Sequence, residues 1–316
     1  MQILRVTPAT CDLLSTFLLA QYPLLTTGKL HKYLRENKIK VNGKKVPLTT
    51  RLLMGDEVKV FIPDDALFTA SGPQYRSAQN RLTVVYEDAD ILLVDKPAGL
   101  LVQDETGFVA DTLINRALRY LYESGAYTDN APFTPCLCHR LDTGTSGLVI
   151  LAKNEDAFHI MTELLKKRTL KKRYVCVTFG RPSPKNGVLQ GYLQKDAEKG
   201  FVRVIQDAAA DAKPVTTAYE TLAESGRLAL LSVELITGRT HQIRAHFTSI
   251  GCPLLGDSKY GNNAANREYK MKYQALCAYS IQFPAIAEGA CHTLSGKSFA
   301  VQKPWYYQQI LDGTLH

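Results

Sequence analysis

The segment His139-Arg140-Leu141-Asp142-Thr143-Gly144-Thr145-Ser146-Gly147-Leu148 puts a base, an acid and two glycines into a loop that runs straight into an apolar strand. Loops held by a rigid scaffold are where reactive side chains concentrate. On local chemistry alone Asp142 fits two readings: a reactive carboxylate, or an Asx-turn residue bonding backbone N–H groups two positions on. A second group is Thr237-Gly238-Arg239-Thr240-His241-Gln242-Ile243-Arg244-Ala245-His246. Its Gly-Arg-Thr reads as a turn into a helix with Thr240 as N-cap. Thr240 and Arg244 would then share a face at i, i+4; the bland alternative is a polar, solvated first turn. The third group, Lys171-Lys172-Arg173-Tyr174, is a basic run ending in an aromatic at the head of a strand, where a tyrosine more often serves core or rim than chemistry.

Other chemistries find no support. Cys136, Cys138 and His139 crowd together, but Cys-x-Cys is tighter than the spacing of structural zinc sites. His241 and His246 have no acidic general base between them, as a metalloprotease helix would. No Gly-x-x-x-x-Gly-Lys run exists, and no Gly-x-Gly-x-x-Gly follows a strand. Ser146 lacks the Gly-x-Ser-x-Gly elbow of a hydrolase nucleophile. Neither a metal nor a nucleotide cofactor is expected.

The elements that must position these groups fall into two parts. Residues 1–65 read as a unit: a helix through Leu13, Leu14, Phe17 and Leu18 with Asp12 as N-cap, then a helix carrying Leu30, Tyr33 and Leu34 among lysines. Asn42-Gly43 between short apolar segments predicts a hairpin, and Met54-Gly55-Asp56 a turn into a strand over Glu57–Ile62. Residues 66–80 contain Ser71-Gly72-Pro73 without periodicity and read as a linker. In 81–316, strands are predicted at Leu82–Tyr86, Ile91–Val94, Leu148–Ala152, Tyr174–Phe179, Thr216–Leu222, Leu228–Leu235, Leu276–Phe283 and Ser298–Val301. Helices are predicted at Val109–Glu123, Asp156–Lys167, Thr240–Ile250 and Trp305–Leu311. Runs of strands with only occasional helices imply an α+β domain whose mixed sheet is largely antiparallel.

The net charge of the 316-residue chain is +8, and it is uneven. Gly28–Val46 holds seven cations against Glu36, among them Lys29, Lys32, Arg35, Lys40 and Lys44, and Glu163–Tyr174 holds six against one acid. Each window alone could be a solvated helix face; two together point to a polyanion such as RNA. The apolar runs are too short to span a bilayer and the first residues lack a signal-peptide pattern. Seven cysteines form no dense framework. The expectation is a soluble protein of the cytoplasm with reduced thiols.

His139-Arg140-Leu141-Asp142-x-x-Thr145-Ser146-Gly147, then Lys172-Arg173-Tyr174, then Gly238-Arg239-Thr240-His241-Gln242-Ile243-Arg244-x-His246 resemble the three ordered motifs of RluA-family, RluC/RluD-like pseudouridine synthases. Asp95-Lys96-Pro97-Ala98-Gly99 and Leu255-Gly256-Asp257-x-x-Tyr260-Gly261 resemble further segments of that family. Residues 1–65, with Val41-Asn42-Gly43, resemble the small RNA-binding domain first seen in ribosomal protein S-four. The resemblance implies a cofactor-free isomerisation of uridine to pseudouridine in RNA, with large-subunit ribosomal RNA as the target and transfer RNA as the alternative. It implies that Asp142 is the catalytic carboxylate, acting as a nucleophile or by proton abstraction toward a glycal. Arg244 would be its cationic partner, and Tyr174 would pack on the target base and handle the C5 proton. Arg140 would fill the space left by the flipped nucleotide, with His139, Arg239 and Lys172 beside it in RNA binding. A base must leave its stack to be reached at all. The protein is expected to work as a monomer, away from membranes. Two rivals remain from other classes: an idle RNA-binding or ribosome-assembly factor that keeps the fold, and an RNA glycosidase that releases free uracil.

Overall fold

The computed structural model describes residues 2–7, 12–22, 24–63, 67, 73–104, 109–196 and 200–315. The chain divides into two units, Met1–Ala78 with Asp104–Ala110 and Gln79–Gln103 with Asp111–His316. Of the segment read as a linker, positions 66 and 68–72 lie outside the described residues, and Gln74–Ser77 forms a short 3-10 turn.

In the first unit, strands β1 (Gln2–Arg5), β2 (Ile39–Val41) and β3 (Glu57–Val60) form an antiparallel sheet in the order β1-β3-β2. Helices α1 (Leu14–Gln21) and α2 (Thr27–Arg35) share with it a core that includes Leu14, Leu18, Leu30, Ile39, Val58 and Ile62. The expected cap of α1 is corrected. Leu13 occupies the N-cap, and the Asp12 carboxylate accepts from the Leu13 N–H next to it (2.6 Å), too early to reach the orphan donors of the first turn. α2 starts where Thr26 Oγ1 accepts from Lys29 N (3.3 Å), and it buries Leu30 and Leu34.

Asn42 and Gly43, at φ 49° and 77°, make the expected two-residue turn, closed by reciprocal backbone bonds between Val41 and Lys44. The chain after it forms no long partner strand; β2 pairs with β3 instead. Asn42 makes that pairing, its side chain donating to Asp56 Oδ1 (2.8 Å) and accepting from Glu57 N (2.9 Å).

The second unit is an α+β fold around an eleven-stranded sheet. In chain order it contains β4 (Thr83–Glu87), β5 (Ile91–Lys96), α3 (Leu113–Glu123), β6 (Cys136–Leu137), β7 (Ser146–Ala152), α4 (Glu155–Lys167) and β8 (Lys171–Phe179). There follow β9 (Asn186–Asp196), β10 (Phe201–Ile205), β11 (Lys213–Ser225), β12 (Leu228–Leu235), α5 (Gln242–Ser249), α6 (Asn263–Glu268), β13 (Leu276–Gln282), β14 (Ser298–Ala300) and α7 (Trp305–Leu311). The sheet order is β10-β9-β11-β12-β8-β13-β7-β5-β4, with β14 on β13 and β6 on β7. Among the described strands β7 and β13 form the single parallel pair. All eight predicted strands and all four predicted helices of this part are present, Leu228–Leu235 and Trp305–Leu311 with the predicted ends and the others with shifted ones. The hairpin β9–β10, the two-residue β6 and the short α6 were not predicted.

One row of the sheet sets the site. Tyr174 of β8 lies opposite Ala278 of β13, which lies opposite Gly147 of β7. Gly147 sits at φ 107°, and a Cβ there would come 2.2 Å from the Ala278 carbonyl oxygen, so only glycine lets these strands approach. The loop carrying Asp142 is thereby held beside Tyr174.

Candidate active site

Asp142 sits in the loop between β6 and β7. The loop closes through its backbone, Thr145 N donating to Asp142 O (3.0 Å). The Asp142 carboxylate is turned to another use: Oδ2 accepts from Arg244 Nη1 at 2.8 Å, so the Asx-turn reading is not realised. Gly99 N (2.7 Å) and the Lys96 ammonium (3.0 Å) both donate to the Thr143 carbonyl and tie the loop to the end of β5. Lys96 is fully buried and also donates to Pro97 O and Leu100 O. Burial pulls its pKa down to about 8, against the charges of Asp142 and Asp95. At pH 7 it is an ammonium whose three donors meet three carbonyls.

Arg244 lies in the first turn of α5, and its side chain is only 9% exposed. Besides Asp142 it binds Asp257 through two parallel bonds, Nε to Oδ2 (2.7 Å) and Nη2 to Oδ1 (2.9 Å). Asp257 is fully buried; its Oδ1 also accepts from Lys259 N and Tyr260 N, each at 2.9 Å. Burial would raise this carboxyl's pKa, but the guanidinium and the backbone donors outweigh it and hold the value below its ordinary level. Burial likewise opposes the Arg244 charge, and the two carboxylates overcome it. Tyr260 covers the guanidinium, with Cζ 4.9 Å from its ring centre. Asp142, at 25% exposed, therefore faces a cation fixed from behind.

The turn ahead of α5 corrects the expected cap. His241, at φ 55°, holds the N-cap position, and Thr240 lies outside the helix and shares no face with Arg244. Gln242 takes over the tethering. Its Nε2 donates to Thr216 O and Thr217 Oγ1, and its Oε1 accepts from Thr237 Oγ1 and Arg239 N. His246 Nδ1 is 2.7 Å from Thr217 Oγ1, and burial lowers its pKa to about 4. His241 Nε2 is 3.8 Å from Asp142 Oδ2, and its Nδ1 is 3.0 Å from Tyr260 Oη. Burial lowers its pKa more than Asp142 raises it, so the ring is neutral at pH 7.

Asp142, Arg244 and Tyr174 line one cavity of about 410 Å³, within the span of small-molecule clefts. His139, Arg140, Lys172 and Arg239 line it too, while Leu235, Ile243 and Leu276 supply apolar wall. Arg140 and Arg239 are exposed. Burial and the Lys172 charge lower the His139 pKa to about 3, so it adds no cation; its Nε2 accepts from Ile150 N (3.3 Å). Burial, then the Asp142 charge, pushes the buried Tyr174 phenol up, and the resting site presents its ring and a neutral O–H. Lys29, Lys32, Arg35, Lys40 and Lys44 belong to the first unit and are not in this lining. Lys29, Lys32 and Arg35 lie exposed on α2, as does Lys44 after the turn, while the half-buried Lys40 ammonium sits 5.8 Å from the Phe61 ring centre.

Asp257, Tyr260, Gln242, His241 and Lys96 were not assigned roles from the sequence. Asp257 carried a signal, an acid between Gly256 and Gly261, but its partner stands 13 positions away.

Residues 90–249 match the family described as RNA pseudouridylate synthase. An uncharacterized RNA pseudouridine synthase of Mycoplasma genitalium is 32% identical over 300 residues, 92% of each chain. A ribosomal large subunit pseudouridine synthase C of Rickettsia bellii is 33% identical over 271 residues, 83% of this chain and 86% of the relative. The fold is similar to human RNA pseudouridylate synthase domain containing 4 (TM-score 0.57, 23% identity, 73% of this chain and 92% of that one). Human RNA pseudouridylate synthase domain containing 1 is also similar (TM-score 0.58, 21% identity, 77% and 89%). With half the chain inside the matched region and relatives aligned along nearly the whole of it, the chain belongs to the RNA pseudouridylate synthase family.

Proposed function

We propose that this RNA pseudouridine synthase acts on uridines of large-subunit ribosomal RNA, with Asp142 as its catalytic carboxylate. The observation that carries the assignment of the site is the 2.8 Å bond between Asp142 and Arg244, whose guanidinium is locked from behind by the buried Asp257. The reaction breaks the N1–C1′ bond and forms C5–C1′; C5 gives up a proton and N1 takes one, so no atom is gained. Asp142 acts at the sugar, Arg244 pairs with its carboxylate, Tyr174 packs on the base, and Arg140 fills the gap left in the RNA. His139, Lys172 and Arg239 frame the opening. The Rickettsia relative's name supports the large-subunit target. Incubating the purified protein with large-subunit ribosomal RNA and with transfer RNA, both lacking pseudouridine, tests this. Pseudouridine in the first and no free uracil is expected; modification of transfer RNA alone would overturn the target.

Residues 1–65 act as an S-four-like RNA-binding domain, joined through 66–80 to a catalytic domain at 81–316. The exposed cations of α2 and the turn support this. Each cation that neutralises a phosphate contributes roughly 0.7 to the salt slope on single strands. The variant Lys32→Gln/Arg35→Gln/Lys44→Gln should therefore flatten the plot of log affinity against log salt by about 2. An unchanged slope would show these cations idle. The described cysteines are free thiols, which supports a cytoplasmic location.

A further inference from the structure

Behind the catalytic loop lies a second and larger cleft of about 910 Å³, formed entirely within the second unit. Five cations line it against two carboxylates. Of those carboxylates Asp111 is bound to Arg116, while Arg81, Lys270 and Lys272 have no carboxylate partner among the described residues. Two aromatic rings join them. Tyr273 packs on the Gly99 backbone, where a Cβ would come 2.5 Å from its ring, and the Lys272 ammonium lies 5.3 Å from the ring centre. Trp305, at the start of α7, is 56% exposed. Aromatic faces flanked by unpaired cations are what binds unpaired nucleotides, since every base can stack and every phosphate is an anion.

The cleft and the catalytic cavity stand back to back. Gln274 lines the cleft and donates to Thr145 Oγ1 (3.1 Å), and Thr145 lines the catalytic cavity. A Cβ on Gly144 would come 2.2 Å from Gln274 Oε1, so the loop of Asp142 rests directly on this side chain. We infer that this cleft is a second nucleotide subsite, in which an unpaired base of the substrate RNA outside the target uridine stacks on Trp305 and Tyr273 while Arg81, Lys270 and Lys272 hold its phosphates. The inference rests on the substrate being RNA, and isomerisation by the wild-type protein tests that separately.

Trp305 is the chain's single tryptophan, so intrinsic fluorescence reports on the cleft. The probe is a short oligoadenylate, which stacks well and offers no uridine. Saturable quenching that weakens with salt is expected in the full-length protein. Tyr273→Leu and the charge variant Lys270→Gln/Lys272→Gln should each weaken it about five-fold or more, the low end for one stacked base. Trp305→Ala, followed by filter binding, should weaken affinity to the same degree, and should raise KM for the substrate RNA in proportion. Circular dichroism checks the fold of each variant, and the charge variant leaves the packing of Gly99 intact if Tyr273→Leu unfolds. RNA binding without quenching, or quenching untouched by the charge variant, would overturn the subsite. Quenching by an acid-poor apolar peptide and not by RNA would overturn it in favour of a protein partner.

Discussion

Asp142→Asn should lower isomerisation by at least about 10²–10⁴-fold, the range for loss of a group that acts in proton transfer, while RNA binding and folding persist. Asparagine keeps the shape and can still accept from Arg244 Nη1, but it has no charge for Arg244 to stabilise and no basic oxygen. Stability should move little. Arg244 keeps both bonds to Asp257, and the lost ion pair is a quarter exposed on its Asp142 side, so a change of about 1 kcal/mol or less is expected. The measurements are single-turnover rates on saturating RNA, affinity by filter binding, and Tm. Substantial turnover by clean variant protein would remove Asp142 from the chemistry. Free uracil from the variant would show that detachment survives without it.

The position of the Asp142 loop could be read from the sequence because its signal is local, an acid and glycines directly before an apolar strand, while that signal left the carboxylate's role open. The long strands could be read for the same reason. β7, buried from Gly147 to Ala152, is a near-continuous apolar run, as a strand covered on both faces must be. β9 is different. Glycines and polar residues interrupt it, no residue of it but Leu193 is buried, and its regularity comes from pairing with β10 and β11. Helix α6 is six residues of mostly polar text whose start depends on Asn262 accepting from Ala264 and Ala265. The caps misled for a related reason. Asp12 and Thr240 have cap chemistry, but tertiary ties, Leu14 N to Thr50 O and the Gln242 clamp, place the helix starts later. The same limit hid Asp257. The resemblance paired Arg244 with Asp142 and gave Asp257, though its segment was in view, no role; that the guanidinium spans two carboxylates became legible only with α5 and the 255–261 turn side by side.

That second carboxylate changes what Arg244→Leu should do. Removing the guanidinium strands Asp257, whose side chain is fully buried, and breaking such a pair costs about 3–5 kcal/mol. Activity should fall as well, because Asp142 loses the cation facing it. Arg244→Lys should restore little of either, since one ammonium cannot reproduce parallel bonds to Asp257 and a third bond to Asp142. The double variant Arg244→Leu/Asp257→Leu separates the two roles. With no charge left buried, most of the lost Tm should return, while isomerisation should stay absent. Acid should act in a defined direction. The Asp257 carboxyl is held below its ordinary pKa, so its contribution is present at neutral pH and is lost as pH falls through the lowered value. In Arg244→Leu the stranded carboxyl protonates readily instead. The Tm deficit measured at pH 7 should therefore shrink as pH falls, beginning above about 4, the ordinary carboxylate value, because burial without the guanidinium raises this carboxyl's pKa. A wild-type Tm for Arg244→Leu would mean that the pair carries no stability, and a double variant no more stable than the single one would mean that the damage comes from lost packing. A double variant that regained turnover would show that Asp142 works without a fixed cation, and the argument from the 2.8 Å bond would fall with it.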